Sequence, residues 1–202
     1  MAFNHDSTTL PDKTKAIVLL TATMKNVNKP KYQPNAGILF VETPNANKKA
    51  DRFNFIMDKE GTRRIDGKTV YLFRGMLKPG RYVIQGIGGS SSHFLINANC
   101  FLPMHSNMDL EQPGVYYLGR VDGVIRPREG DKEFKAGPSI PLIDQAVAGF
   151  STGSWNVHIY NDASQDLPLY REFLPVLETA HIQMNVLRPF NRARAQQWWE
   201  QH

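Results

Sequence analysis

The chain has 202 residues, 41% of them hydrophobic and 21% charged, which is the balance of an ordinary globular protein with one domain or a small pair. Lys and Arg outnumber Asp and Glu by 24 to 19, and the resulting net charge of +5 is too small to indicate nucleic-acid binding. The single cysteine, Cys100, excludes an internal disulfide and a CxxC metal site, and its apolar neighbours predict a buried thiol.

The beginning of the chain, MAFNHDSTTLPDKTKA, is polar and lacks the apolar centre of a signal peptide. We expect residues 1–14 to form a flexible tail. No later run reaches the about 18 apolar residues of a membrane helix. Two locations stay open: the cytoplasm if Met1 is the native start, and the cell envelope if a leader has been removed.

Short apolar or alternating segments, separated by turn residues, follow this tail. They predict strands at residues 15–24, 36–43, 52–58, 68–76, 81–88, 93–102, 115–125, 154–162 and 181–187. The first is apolar at both odd and even positions, which predicts a strand covered on both faces.

Two of these strands are preceded by similar Pro-Gly segments, LKPGRYVIQG at residues 77–86 and EQPGVYYLGR at residues 111–120. Pro79 restricts φ, and Gly80 can adopt the positive φ of a type II turn. We interpret the similarity as a recurring turn that begins a strand, because the flanking sequences do not otherwise match.

A helical pattern appears after residue 162, where Leu169, Phe173 and Leu177 are spaced four apart. Asp166 is a suitable N-cap and Pro168 suits the first turn. Good helix formers return in the last residues, NRARAQQWWEQH. We therefore expect one short helix before the last strand and another at the C-terminus.

The fold prediction is an all-β, antiparallel β-sandwich of the Ig-like or transthyretin-like kind, with these two helices added. The domain prediction is a tail at 1–14, a sandwich at 15–189 and a basic, aromatic helix at 190–202. We expect this last helix to lie outside the sandwich core with one exposed indole, because adjacent helical residues point about 100° apart.

The motifs LKPGRYVIQG, QPGVYYLGRV and YREFLPVLE with IQMNVL resemble bacterial exported lipoproteins of unknown function. Their β-sandwich domains are similar to carboxypeptidase-regulatory-like and transthyretin-like modules. The resemblance spans about residues 68–187 and implies export with an N-terminal lipidated cysteine. Cys100 lies in mid-chain, where it does not match that anchor, and no catalytic residue is implied.

The glycine-rich stretch GIGGSSS, which contains Gly88 and Gly89, is a candidate binding loop because glycine amides can contact anions. It matches neither the P-loop nor the dinucleotide-binding spacing, so a hairpin loop is the simpler interpretation. We predict no cofactor.

A candidate metal or hydrolytic site consists of His105, Asp109 and Glu111, which we expect on a polar loop. Imidazole and carboxylate groups together suit a divalent cation. Scattered polar residues of a surface loop are the alternative interpretation, and no metal is predicted.

The C-terminal residues combine arginines with tryptophans and form the main candidate binding surface: Arg188, Arg192, Arg194, Trp198 and Trp199. Such a combination suits a membrane interface, a nucleic acid or a docking groove, and we expect a partner or a membrane surface. The alternative is a terminal helix whose tryptophans pack against the sandwich.

The sequence leaves two functions open. The first is a non-catalytic cell-envelope module that binds or scaffolds another envelope protein or a membrane surface, with nucleic acid not expected and the oligomeric state open. The second is a metal-dependent or hydrolytic enzyme that uses His105, Asp109 and Glu111.

Overall fold

Two β-sheets form the body of the protein in a computed structural model that describes residue 10, residues 14–138 and residues 143–201. One sheet has six strands and is mixed, the other has four antiparallel strands, and three short α-helices are added. The mainly β, two-sheet prediction is confirmed. The predicted tail at 1–14 lies outside the described residues except for positions 10 and 14.

The strands are β1 (Ala16–Asn26), β2 (Asn35–Glu42), β3 (Arg52–Ile56), β4 (Thr62–Ile65), β5 (Lys68–Leu77), β6 (Gly80–His93), β7 (Ile96–Leu110), β8 (Gly114–Pro127), β9 (Gly153–Tyr160) and β10 (Ile182–Met184). The helices are α1 (Ile143–Val147), α2 (Ala163–Phe173) and α3 (Arg192–Gln201). The helix before the last strand and the C-terminal helix are thus both present. The last strand is shorter than predicted.

The larger sheet has the order β10-β8-β1-β5-β4, and β9 also pairs with β8. Here β1 is antiparallel to β5 but parallel to β8, and β10 is parallel to β8. The expectation of antiparallel pairing throughout is therefore wrong for this sheet. Residue alternation reports which face of a strand is buried and carries no information about the direction of its neighbour.

The smaller sheet has the order β3-β2-β6-β7, and all its pairs are antiparallel. Its longest pairing is the β6–β7 hairpin, which runs from Gly80 opposite Leu110 to His93 opposite Ile96. Two segments predicted as loops lie inside this hairpin: GIGGSSS belongs to β6, and residues 104–110 belong to β7.

Strand β1 is buried on both faces, as predicted. Val18 and Leu20 point into the main core between the two sheets. Ile17 and Leu19 point the other way, into a second core that α2 and the turn after it form against the outer face of the larger sheet. The molecule is thus layered as helix, sheet and sheet.

The two Pro-Gly segments mark the places where the chain passes from one sheet to the other. Gly80 begins β6 after β5 of the larger sheet, and Gly114 begins β8 after β7 of the smaller sheet. The φ values of these glycines are 154° and 156°, so the turns are not of type II, whose glycine has φ near about 80°.

A tyrosine two residues after each of these glycines locks the crossover. The Tyr82 hydroxyl donates to the Lys78 carbonyl at 2.8 Å, and the Tyr116 hydroxyl donates to the Gln112 carbonyl at 2.7 Å. Both rings are buried. The sequence x-Pro-Gly-x-Tyr therefore encodes the same corner twice, with a hydroxyl tied to the carbonyl four residues earlier, similar to the tyrosine corner of immunoglobulin sandwiches.

Helix α2 begins earlier than predicted. Its N-cap is Asp162, and Asp166 lies inside the helix, fully buried. There the Asp166 carboxylate accepts a hydrogen bond from the Tyr117 hydroxyl at 2.5 Å and pairs with Arg120. Burial, followed by the nearby Asp166, raises the pKa of Tyr117 well above its usual range. Asp166 thus anchors α2 to β8 instead of capping it.

The turn of the β6–β7 hairpin contains only Phe94 and Leu95. Phe94 has a φ of 55°, while Leu95 has a negative φ, an arrangement in which the first position strongly favours glycine. An aromatic residue in left-handed backbone costs about 1–2 kcal/mol. Because Phe94 is 90% exposed, packing within the protein does not offset that cost.

We expect Tyr82→Phe and Tyr116→Phe each to lower the free energy of unfolding by about 1 kcal/mol, since each removes the corner hydrogen bond while preserving the ring. Tyr116→Phe also removes a longer bond, which the Gln112 backbone N–H donates to the hydroxyl at 3.3 Å. Urea denaturation of the two variants measures this loss. Tyr32→Phe, at a half-buried ring in the loop between β1 and β2, is the control and should change stability by less than about 0.5 kcal/mol. Equal losses in all three variants would contradict a special role for the corners.

We expect Phe94→Gly to raise the free energy of unfolding by about 0.5–1 kcal/mol, because glycine relieves the left-handed strain and little packing is lost. Leu95→Gly is the matched control in the same turn. It should lower stability by about 0.5–1 kcal/mol, since glycine there adds entropy to the unfolded chain without relieving strain. Thermal or urea unfolding of both variants measures these changes in stability. A loss of stability in Phe94→Gly would contradict the presence of strain at this position.

Candidate ligand-binding groove

A groove of about 870 Å³ lies on the outer face of the smaller sheet. Its floor consists of residues from the first half of β6 and the second half of β7. Its walls come from residues 43–45 after β2, residues 185–188 after β10, and α3. Five separate parts of the chain therefore meet at this surface.

Alternation along β7 decides which side chains reach the groove. Met104 and Met108 belong to the main core, whereas His105, Asn107 and Asp109 alternate with them and line the groove, which Met108 also borders. His105 is only 4% exposed, and its φ of 47° coincides with a register irregularity between β6 and β7. The expectation that His105 lies on a polar loop is wrong, because the ladder continues through this bulge.

The His105 ring is held by a chain of hydrogen bonds. Its Nδ1 lies 2.7 Å from Gln85 Oε1, and Gln85 Nε2 donates to Glu42 Oε1 at 2.5 Å. Since a carboxylate only accepts, the Gln85 amide must direct its NH₂ group to Glu42 and its oxygen to His105. Nδ1 of His105 therefore carries a proton and donates it to Gln85.

Trp198 of α3 covers the same imidazole. The two ring centroids are 4.9 Å apart with planes inclined by 35°, and Trp198 also lies 5.7 Å from the Phe101 ring. Trp198 is half-buried and lines the groove. Trp198 and His105 together form a rigid, flat aromatic wall.

Three arginines line the groove from three different elements: Arg81 of β6, Arg188 after β10, and Arg194 of α3. All three are exposed. Within the described residues, none of these guanidinium groups lies within 4 Å of a carboxylate, and the one hydrogen-bonded side-chain contact they make is that of Arg194 Nη1 with Asn107 Oδ1 at 3.5 Å. Their charges therefore face solvent across the groove.

Among the residues that the structure describes, two carboxylates line this surface. Glu42 is engaged by the Gln85 amide and by Arg52 Nε at 3.7 Å. Asp109 is exposed at the end of β7, and its backbone carbonyl accepts a hydrogen bond from Asn185 Nδ2 at 2.7 Å. Because one of the two carboxylates already has partners, the arginines dominate the charge available to a ligand.

The residues of the predicted C-terminal surface do not all face one site. Arg188, Arg194 and Trp198 line the groove. Arg192 instead pairs with Glu133 and donates to the Trp155 carbonyl at 2.7 Å. Trp199 lines a small apolar cavity of about 230 Å³, which Trp198 also borders.

The expectation that α3 lies outside the core with one exposed indole is wrong. Ala195 is fully buried within the main core cluster, and both Trp198 and Trp199 are half-buried. Helix α3 crosses the open edge between β9 and β7, so each tryptophan contacts a different part of the sandwich. The domain boundary predicted at residue 190 stays a prediction.

Gly88 and Gly89 lie in β6 and do not line the groove. The expectation that they lie on a loop is wrong, while their role in binding stays a prediction. A Cβ at Gly88 would lie 2.8 Å from Phe40, and one at Gly89 would lie 2.7 Å from the Asn35 carbonyl. These glycines allow close packing against β2 and its side chains.

The three residues of the predicted enzyme site do not assemble. His105 and Asp109 line the groove, but Glu111 follows β7 and is exposed outside it. Among the described residues, no group of three or more His, Cys, Asp and Glu side chains is arranged to hold a metal ion. Cys100 is buried as predicted, and burial raises the pKa of its thiol well above the usual range.

Arg81, Gln85 and Glu42 belong to the groove but were missed in the sequence. Arg81 occupies an outward position at the start of an alternating strand, which is a weak signal for a binding residue. Glu42 and Gln85 come together only because β2 pairs with β6. No local pattern could have identified that pair.

No protein-family model, curated protein or solved structure matches this chain. In the parts of the chain that the structure describes, no helix is long and apolar enough to cross a membrane. The geometry of the groove is therefore the main guide to function.

A cluster of charges fixes α3 beside the groove. The Glu133 carboxylate accepts hydrogen bonds from Arg126 at 2.5 and 3.0 Å and pairs with Arg192 at the start of the helix. Gln196, one turn later, accepts a hydrogen bond from the Phe134 amide at 2.8 Å. The hydrogen bonds from Arg126, with those of the Glu129 amide and Arg192, lower the pKa of Glu133 from 4.5 to about 2.

We expect stability to fall as the pH is lowered from about 4.5 to about 2. The folded-state pKa of Glu133 lies below its unfolded value, so its contribution is complete above 4.5 and is lost on protonation. Glu133→Gln should lower stability by about 1–2 kcal/mol at neutral pH and flatten this part of the pH profile. Glu129→Gln, at a side chain that is 81% exposed, is the control. Identical pH profiles for Glu133→Gln and the wild type would refute this role.

Proposed function

We propose that this protein is a non-catalytic binding module whose groove accepts an acidic segment of a partner protein. The observation that carries the proposal is the convergence of Arg81, Arg188 and Arg194 on one groove without an ion-pair partner among the described residues. Arginine presents a planar fork of donors that matches carboxylate groups, and such charge-assisted bonds are the stronger ones at interfaces.

The size and lining of the groove support a chain-like ligand. A volume of about 870 Å³ is at the upper end of the range for small-molecule sites, and the surface is open along one side. The aromatic wall of Trp198 and His105 offers a contact for the apolar or planar parts of a peptide. Tryptophan and arginine are the residue types that contribute most at protein interfaces.

The arrangement around His105 supports binding more than catalysis. Gln85 engages Nδ1, Trp198 covers the ring, and the residue is 4% exposed, so the imidazole is restrained in place. A general base needs access to a proton on the substrate. The enzyme alternative that used His105 with Asp109 and Glu111 is not favoured by this geometry.

The resemblance to exported lipoproteins extends the proposal to the cell envelope, with another envelope protein as the partner. The finer description of the fold as an Ig-like or transthyretin-like sandwich belongs to the same proposal. The two tyrosine corners support it, whereas the parallel pairing of β1 with β8 differs from an all-antiparallel sandwich. Fractionation of the native cell tests the location.

The binding proposal is tested with a fluorescein-labelled decapeptide of alternating Glu and Gly, and with its Lys-Gly counterpart. Fluorescence anisotropy should show binding of the acidic peptide only. The double variant Arg188→Gln/Arg194→Gln should bind it about tenfold more weakly, or about 1.4 kcal/mol, since two charge-assisted contacts are lost.

The matched control is Lys59→Gln/Arg64→Gln, which removes the same charge from the β3–β4 loop and from β4 of the larger sheet. It should retain the wild-type affinity. Equal weakening in both double variants would show a general charge effect, and failure of the wild type to bind the acidic peptide would refute the proposal.

A further inference from the structure

Three segments meet at the end of the sandwich that carries the turn of the β6–β7 hairpin. Helix α1 is joined to the hairpin by the Asp144 carboxylate, which accepts a hydrogen bond from the backbone N–H of Asn97 at 2.9 Å. The loop of residues 27–34 is joined to the residues after α1 through Asn28 Nδ2 and the Gly149 carbonyl at 2.8 Å. These contacts make one continuous surface, here called the hairpin end.

Exposed apolar side chains are concentrated at the hairpin end. Phe94 is 90% exposed, Leu95 is 76% exposed and Ile143 of α1 is 81% exposed. Val27 and Val147 add to the same surface, so five of the eight exposed large apolar residues in the described chain lie on these three segments. Single exposed apolar residues are common on proteins, whereas a cluster of them indicates an interaction site.

The backbone at Phe94 provides an independent argument. The first position of this two-residue turn favours glycine, yet it holds a large aromatic residue with a φ of 55°. A phenylalanine at this exposed position adds strain to the folded structure and does not improve solubility in water. A residue type that its backbone conformation disfavours, and that gains no compensating contact, is characteristic of a functional site.

The charges around the apolar residues are positive. Lys29 and Lys31 lie in the loop of residues 27–34, which contains no acidic residue. Lys31 Nζ lies 5.9 Å from the centroid of the Tyr32 ring. The centroid of that ring lies 5.8 Å from the centroid of the His93 imidazole, next to the hairpin turn. The nearby acidic residue of α1, Asp144, is engaged by the Asn97 amide.

We propose that the hairpin end docks on an anionic lipid bilayer, with Phe94 and Leu95 inserted at the level of the lipid headgroups and Lys29 and Lys31 in contact with acidic lipids. A protruding two-residue tip enters a fluid bilayer without a preformed pocket, whereas a protein partner would need a cavity shaped for it. Apolar insertion combined with lysine contacts is the physical basis of reversible binding to anionic membranes. This proposal concerns a different surface from the groove and does not depend on it.

The test is co-sedimentation of the full chain with phosphatidylcholine vesicles that contain phosphatidylserine, and with pure phosphatidylcholine vesicles. The wild type should bind the anionic vesicles more tightly. The double variant Phe94→Gly/Leu95→Asn, which fits the same turn with better local geometry, should bind them about tenfold more weakly or worse. The double variant Lys29→Gln/Lys31→Gln should also bind the anionic vesicles more weakly. Added salt should reduce the binding of this variant less than it reduces the binding of the wild type.

The control variant is Ile56→Asn, because Ile56 is 73% exposed on β3 and lies outside the hairpin end. It should bind vesicles as the wild type does. The proposal is overturned if the wild type does not sediment with the anionic vesicles. A partner protein with a pocket for the hairpin tip would then be the remaining explanation of this surface. It is also overturned if the tip variant binds as tightly as the wild type.

A second readout reports insertion directly. Leu95→Cys labelled with an environment-sensitive fluorophore should shift its emission to the blue on addition of anionic vesicles, while labelled Ile56→Cys should not. Cys100 does not interfere, because its thiol is buried and its pKa is raised by burial. Absence of the shift at position 95 would show that the tip stays in water and would overturn the proposal.

Discussion

The hydrogen bond from a tyrosine hydroxyl to a carbonyl four residues earlier, made once by Tyr82 and once by Tyr116, is the interaction on which the rest of the structure depends. Each bond closes a corner at which the chain leaves one sheet and enters the other. Between the two corners lies the β6–β7 hairpin, the largest part of the smaller sheet. The corners therefore determine how that hairpin stacks on β1 and β8, and with it the main core.

The groove is a consequence of this stacking. The main core covers the inner face of the smaller sheet, so the outward residues of its strand β7 need another element to cover them. Helix α3 covers part of that face, because Glu133 fixes Arg192 at the beginning of the helix and Trp198 packs on His105. The part left uncovered, between α3 and the residues that follow β10, is the groove.

The two proposed binding surfaces lie at opposite ends of the same hairpin. Gln85 belongs to the groove and Phe94 to the hairpin end, and both are in or next to β6. A separation of nine residues corresponds to about 30 Å at about 3.3 Å per residue. A molecule docked on a bilayer through Phe94 would hold its groove away from the lipid, where a second macromolecule has access to it.

The sequence by itself determined where most strands lie, that β1 is covered on both faces, that Cys100 is buried and that helices precede the last strand and end the chain. These features depend on residue periodicity and on turn chemistry, which are local. The resemblance between the two Pro-Gly segments was also visible, but its meaning depended on which carbonyl each tyrosine reaches.

Only the tertiary structure decided the direction of β8 beside β1, the position of His105 within a strand, and the meeting of Arg81, Arg188 and Arg194 in one groove. Each depends on which distant segments become neighbours, and no spacing along the chain encodes that. The end of the helix that carries Trp198 and Trp199 shows the same limit. Its content of good helix formers predicted a helix. Both indoles are nevertheless half-buried, because β7 and the loop containing Phe134 present two surfaces to the helix instead of one.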